Sequence, residues 1–339
     1  MKVAEIANFM KKNYEGILKQ ERGISETIRG VPDKNKDIFD DARLVVLLGA
    51  GDSYAVAEYG KWAFLSVFKN AISVSSTELQ YVQLDESCVV IGVTASGRSL
   101  STIDALDIAN KAGATTIALT DTQEGPANQH ANHIWLTKSG AESYNISPSA
   151  PTTCSMAYLL KVVELLGFQP ASRIHNDVNT LSQNMHEIMN WAKKIGPNIA
   201  KLPRMDKPLY LISKGPNYAA AQLGMMKFNE YSLVKGIATL REEFQHHTVL
   251  SINKDERAIV ISDSPVGEMD DRYLEVMKNK LEIQTYHLYT PENLHLESAL
   301  GQAIANAIAL QIAAYEHVIT HNPEKERFKL PHAEAFKIY

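Results

Sequence analysis

LVVLLGAGDSYAVAEYG, residues 44–60, is the stretch on which the fold turns. Its first five residues, Leu44 to Leu48, are all apolar, with none of the alternation of a half-exposed strand. They read as a strand buried on both faces. The run stops at Gly49-Ala50-Gly51, and a helical segment follows. A buried strand that turns on glycine into a helix begins a βαβ unit. The same pattern recurs downstream. CVVIGVT (88–94) runs into Ala95-Ser96-Gly97-Arg98-Ser99 and a helix from about 100 to 112, while AISVS (71–75), TTIALT (115–120) and HIWLT (133–137) supply further strands. Strands alternating with helices in this way predict an α/β fold with a doubly wound, five-stranded parallel sheet.

Upstream, residues 3–20 carry apolar side chains at helical spacing. Downstream, Ala150 to Gly167 reads as a helix, and one long polar helix over roughly 172–201 leads to a second block. That block contains PLYLIS (208–213), RAIVIS (257–262), a helix near 268–280, IQTYHLY (283–289) and a closing helix near 298–320. GDSYAVAEYG (51–60) set against GPNYAAAQLG (215–224) matches at Gly51/Gly215, Tyr54/Tyr218, Ala55/Ala219, Ala57/Ala221 and Gly60/Gly224, each pair 164 residues apart. A period this long points to a duplicated domain, because solenoid repeats run about 20–50 residues. The expected organisation is an N-terminal helical segment (1–42), a first domain (43–170), a helical connector (171–205), a second domain (206–321) and a tail (322–339).

The chain has 339 residues, 45% hydrophobic and 22% charged, with a net charge of -5. That is the composition of an ordinary globular protein, and it lacks the basic excess of a nucleic-acid binder. Two cysteines, Cys88 and Cys154, are too few for a disulfide framework or a cysteine-rich metal site. No apolar run approaches the length of a membrane span, and the charged N-terminus lacks a secretory h-region. The expected address is cytoplasmic, with no membrane partner and no cofactor.

Two strand-to-helix turns are rich in small hydroxyl residues: Gly51-Asp52-Ser53 and Thr94-Ala95-Ser96-Gly97-Arg98-Ser99. Free N–H groups and partial positive charge at a helix start favour a phosphate. Serine and threonine add neutral donors, and glycine admits close approach of the backbone. Taken alone, Ser53 and Ser99 read equally well as helix N-caps. No P-loop and no well-placed G-x-G-x-x-G is present, so a nucleotide is disfavoured.

GAGDSYAVA, VTASGRSLSTIDAL and SSTELQY (75–81) resemble the sugar isomerase (SIS) domain family. The resemblance implies two tandem SIS domains, each a doubly wound five-stranded parallel sheet flanked by helices, and Ser53, Thr94, Ser96, Gly97 and Ser99 as phosphate-binding residues of the first. Gly51, Ala95, Glu142 and Glu243 would contribute to the rest of the sugar site. MKFNEYSLVKGIATLREEFQHHTV (226–249) is similar to the isomerase domain of glucosamine-6-phosphate synthases. Alone, Lys227 and Glu230 at i, i+3 are the spacing of a surface ion pair. With the resemblance they become catalytic candidates, together with His246, which lies 16 residues beyond Glu230. Moving a proton between C1 and C2 of an open-chain sugar needs one carboxylate on one face, the role implied for Glu230. Ring opening suits a group that titrates near neutrality, the role implied for His246, with Lys227 as electrostatic partner.

Those synthases deliver the histidine across a subunit interface, which implies a homodimer with the site near that interface. They also form an imine on a lysine near the C-terminus, for which Lys329 and Lys337 are candidates. Adjacent His246 and His247 point to opposite faces if extended, and no carboxylate completes a ligand set, so no metal is expected. Departures from the family are Arg98 where Glu is common, Ser147-Pro148-Ser149 in place of S-T-K, His247 in place of Gly, and no glutaminase segment ahead of the first block. The expected function is a sugar-phosphate isomerase or amino-sugar-phosphate deaminase without glutaminase activity. A fructosamine-6-phosphate deglycase is the first alternative and a non-catalytic phosphosugar sensor the second. One half is expected to bind and the other to react, which puts the site between them.

Overall fold

The computed structural model describes residues 5–167, 171–328 and 332–339. Helix α1 (Asn8–Leu18) opens the described chain, which forms two units. One comprises Leu18–Met185 with Leu330–Tyr339, and the other Met1–Ile17 with His186–Lys329.

The Leu18–Met185 unit begins with α2 (Gln20–Gly30) and continues through β1 (Leu44–Gly49), α3 (Asp52–Leu65), β2 (Ala71–Ser75) and β3 (Cys88–Val93). It proceeds through α4 (Leu100–Lys111), β4 (Thr115–Thr120), β5 (His133–Leu136), α5 (Ala150–Leu165) and α6 (Ala171–Gln183). The strands lie in the order β2-β1-β3-β4-β5, all parallel. Every residue of β3 is buried, which is why its sequence is an unbroken apolar run. Val46, Leu48 and Val90 pack on one face against Leu79, Ala105 and Ala109. Each such side chain contributes about 1.5–3 kcal/mol on removal from water. Trp135, the buried residue of β5, sits 5.2 Å from Tyr158 of α5 and 6.0 Å from Phe39.

The second unit continues with α7 (Met185–Ile199), β6 (Leu209–Ser213), α8 (Asn217–Lys227), β7 (Gly236–Leu240), α9 (Arg241–His246), β8 (Arg257–Ile261), α10 (Glu268–Asn279), β9 (Gln284–Leu288) and α11 (Ala299–His321). Its sheet is parallel in the order β7-β6-β8-β9. Helix α8 packs on α11 through small buried residues, Ala220, Ala221 and Gly224 on α8 among them. Such residues let two helix backbones approach closely.

Three expectations change. The second sheet has four strands among the described residues, not five. Beyond β9 the chain passes through a short 3-10 turn, Glu292–Leu294, and enters α11 without another strand-like run. Strand β7, unforeseen, is a half-exposed edge strand, the kind whose five residues leave the weakest pattern. The single polar helix over 172–201 is two helices, α6 and α7, parted at Asn184, a residue type that competes poorly inside helices.

Candidate active site

Strand β1 pairs with both β2 and β3, so the connection after β1 leaves to one side and that after β3 to the other. This is the topological switch point of an open α/β sheet, where a crevice forms at the carboxyl ends of the strands. The two hydroxyl-rich turns follow those two strands and therefore lie side by side at that crevice.

Their geometry decides between capping and binding. The residue before α3 is Gly51, at φ +57° with open space where a Cβ would sit. Ser53 is already inside the helix, so it is not the cap. Ser99 does precede α4, but its hydroxyl makes no capping bond to that helix. It meets Ser101 Oγ at 3.3 Å and accepts from Thr102 Oγ1 at 3.2 Å. Thr102 Oγ1 in turn lies 3.0 Å from Ser76 Oγ. Thr94 and Ser96 are buried, and the Arg98 N–H lies 3.4 Å from Ser96 Oγ. Gly97, at φ +68°, backs onto Gly125 so closely that a Cβ would fall 2.7 Å from Gly125 Cα. The turn is thus held by backbone against backbone, with hydroxyls clustered at its start and end.

The remaining sugar-site candidates of this unit stand near its surface. Ala95 lies within the turn, its carbonyl accepting from Thr120 Oγ1 at 3.3 Å. Glu142 is exposed and accepts from the Asn145 backbone N–H at 3.1 Å. The Arg98 guanidinium stacks 4.6 Å over the Tyr144 ring, which meets Tyr339 edge-on at 5.1 Å. The Ile338 carbonyl accepts from Leu100 N–H at 3.2 Å, so the end of the chain occupies a first-turn amide of α4.

In the second unit, Lys227 closes α8 and is fully buried. The next five residues, Phe228–Ser232, form one turn of π-helix that ends on Leu233 at φ +56°. Single π turns inside helical segments occur often at functional sites. Lys227 Nζ meets Glu230 Oε2 at 3.1 Å, and the Glu230 side chain is 33% exposed. The i, i+3 pair therefore forms, although the helix between its members is not regular. An acid with one buried cation on it and one side open to solvent is equipped to take and return a proton.

His246 stands apart from that pair. Its side chain is 72% exposed, and Nε2 meets Glu242 Oε1 at 2.9 Å within α9. Glu243 pairs with His247 at 3.5 Å. Lys329 lies outside the described residues. Lys337 is exposed and follows α12 (His332–Phe336) in the Leu18–Met185 unit.

The lysine that the structure brings to Glu230 is Lys325, which sequence reasoning missed. It is 6% exposed, and its Nζ donates to the carbonyls of Glu230 at 2.5 Å and Tyr231 at 2.8 Å. Burial holds its ammonium below the usual lysine range, opposed by the charge of Glu230. In sequence it is one charge in a charged tail, and only the approach of residue 325 to residue 230 distinguishes it. Lys325 also lines a cleft of about 320 Å³ with Leu233, Asn322, Arg327 and Phe328.

The duplicated switch point in this unit is occupied from within. Asn217 stands where Ser53 stands in the first copy, and its Nδ2 donates to Asp263 Oδ1 at 2.8 Å. Asn306 Nδ2 donates to Asn217 Oδ1 at 2.9 Å, and Lys214 Nζ lies 4.0 Å from Asp263 Oδ2. A carboxylate of the chain thus sits at the turn into α8, where the first copy has hydroxyls.

Residues 38–163 match the SIS domain. Over 320 residues the chain is 20% identical to a glutamine–fructose-6-phosphate aminotransferase (isomerizing) from Sulfurisphaera tokodaii, covering 90% of this chain and 53% of that protein. A protein of the same name from Clostridium acetobutylicum is 25% identical over 298 residues, 82% of this chain and 48% of that one. The chain thus spans about half the length of these curated relatives. Among solved structures, glucosamine-6-phosphate deaminase from Thermotoga maritima superposes with a TM-score of 0.74 at 17% identity, covering 95% of this chain and 98% of that one. Tagatose-6-phosphate ketose/aldose isomerase from Escherichia coli gives 0.74 at 17% identity, covering 94% and 95%.

Proposed function

We propose that this chain, which carries a SIS domain over residues 38–163, is a phosphosugar isomerase or amino-sugar-phosphate deaminase. Ser53, Thr94, Ser96 and Ser99 hold the phosphate at the β1/β3 switch point. Glu230 moves a proton between C1 and C2 of the opened sugar. The observation that carries this reading is that the serines at the switch point make no capping bond to their helices and cluster in the turns after β1 and β3, at helix starts that favour an anion.

The steps follow from the residues. An imidazole at His246, exposed and paired with Glu242 within α9, assists opening of the cyclic sugar by exchanging a proton with the ring oxygen. As the resemblance to the synthases implies, it serves a second subunit, and the active form is a homodimer. The Glu230 carboxylate removes the C2 proton of the aldose, the electron pair forms the C1–C2 double bond, and the C1 oxygen takes up a proton, which gives an enediol, or an enolamine if C2 carries an amine. As the C2 hydroxyl or amine gives up a proton, the carboxyl group returns one to C1 on the same face. This gives the ketose from the enediol and a C2 imine from the enolamine; water then adds to that imine and ammonia leaves. The buried Lys227 ammonium, 3.1 Å from that carboxylate, offsets the negative charge as it shifts between base and intermediate.

The test is a substrate panel of fructose 6-phosphate with and without ammonia, glucosamine 6-phosphate and fructoselysine 6-phosphate. Ketose–aldose interconversion, or ammonia release from glucosamine 6-phosphate, is the expected result. On the preferred substrate, Glu230→Gln lowers kcat by at least about 100-fold, the usual scale for losing an acid–base group. Release of free lysine from fructoselysine 6-phosphate moves the assignment to a deglycase. Binding without turnover of any panel member rejects enzymatic function.

A further inference from the structure

Lys325 is remote in sequence from every group in the proposed reaction, yet its ammonium is seated in the turn that carries Glu230. Its Nζ donates to the carbonyls of Glu230 and Tyr231 at 2.5 and 2.8 Å. Carbonyls at the end of a helical segment lack a partner within it and gather partial negative charge. The π turn leading to them is a rare geometry, and it closes on Leu233 at φ +56°, a left-handed conformation unfavourable to a residue with a Cβ. Such a turn persists only where its surroundings hold it in place. The segment bearing Lys325 is itself fastened, with Pro323 O accepting from Ala7 N–H at 2.9 Å.

An exposed lysine would satisfy the same carbonyls at little cost. Lys325 is instead 6% exposed, which sacrifices hydration of the charge and rotamer freedom. Glu230 thus meets two buried cations, Lys227 on its carboxylate and Lys325 on its backbone. We infer that Lys325 is a positioning residue for Glu230, clamping the π turn so that the carboxylate is held in register for proton transfer. The inference rests on the reading of Glu230 as the base.

The test compares Lys325→Met, Lys325→Arg, Glu230→Gln and the Lys325→Met/Glu230→Gln double variant on whichever panel substrate turns over. Thermal unfolding is recorded for each, to normalise rates to folded protein. Lys325→Met is expected to lower kcat about 10- to 100-fold, the scale of a small misplacement of a reacting group, with KM changed less than about twofold. Lys325→Arg restores most of the rate, and the double variant is no slower than Glu230→Gln alone, because the clamp acts only through that carboxylate. Independently of turnover, backbone amides of Phe228–Leu233 exchange hydrogen faster in Lys325→Met. An unchanged kcat in folded Lys325→Met beside an inactive Glu230→Gln overturns the clamp and leaves the base assignment standing, as does unchanged amide exchange. An active Glu230→Gln overturns the base assignment and the clamp with it. Borohydride trapping of the ketose on Lys325 would make it a nucleophile and equally overturn the clamp.

Discussion

The individual residues divide into those a one-dimensional reading can find and those only folding brings in. Ser53, Ser96 and Ser99 were legible because hydroxyls after a buried strand are a local pattern. Whether they cap or bind was not legible, since that depends on where each hydroxyl turns. With no capping bond from Ser99, Ser96→Ala and Ser99→Ala should each raise KM about tenfold, the worth of about one hydrogen bond. Unfolding temperature should hardly change. A loss of stability with unchanged KM would return these serines to a structural role. Lys227 and Glu230 became candidates through the resemblance of residues 226–249 to the synthases, their spacing alone being that of a surface ion pair, whereas Lys325 belongs to a contact 95 residues long in sequence. His317 was equally hidden. It is 1% exposed in α11 and stacks 4.2 Å from His321. Burial, aided by the charge of His321 and opposed by the Pro203 carbonyl, lowers its pKa to about 4. The unfolded chain therefore binds a proton that the folded chain refuses. The stability at stake is fully present above the usual histidine pKa of about 6.5 and lost as pH falls from there towards 4, by up to about 3 kcal/mol. Urea titrations of the native chain and His317→Phe should diverge across that window and run parallel above pH 7.

Among the elements, the turns carry more of the specification than the strands they join. Buried strands β1, β3 and β4 announced themselves as unbroken apolar runs, while β7, half-exposed at an edge, did not. The missing fifth strand of the second sheet was invisible because duplication argues for symmetry and says nothing about what a copy has since lost. Two glycines with left-handed backbone make contrasting predictions. Gly51 has open space around its Cβ position, so Gly51→Ala should cost only the backbone strain, about 1–3 kcal/mol. Gly97 has Gly125 Cα 2.7 Å from that position, and backbone cannot step aside as a side chain can. Gly97→Ala should therefore exceed Gly51→Ala in unfolding free energy and also weaken phosphate binding, measurable by denaturant titration and by calorimetry with inorganic phosphate. Equal effects from the two substitutions would mean that the Gly97–Gly125 contact relaxes.

For the whole molecule, the outline was legible in the repeat at 164 residues: two parallel α/β sheets, each with its own switch point. The division of labour was legible only in part. The hydroxyls of one copy and the Lys–Glu pair of the other were plain, but the carboxylate at the second switch point was not. A lone aspartate after a strand carries no pattern, and Asp263 gains meaning only beside Asn217 and Lys214. Because Asp263 is tethered to the strand end, its carboxylate is an intramolecular ligand whose effective concentration at that turn reaches the millimolar range or beyond. A free phosphate ester at micromolar levels should not displace it. Titration calorimetry should accordingly count one sugar phosphate per chain despite two related domains. In Asp263→Ser, the vacated turn should admit inorganic phosphate as a second, weaker equivalent. On the proposed reading one domain is the receptor for the sugar phosphate and the other carries its own carboxylate, so saturation should follow a single hyperbola, with no cooperativity between the two halves of a chain.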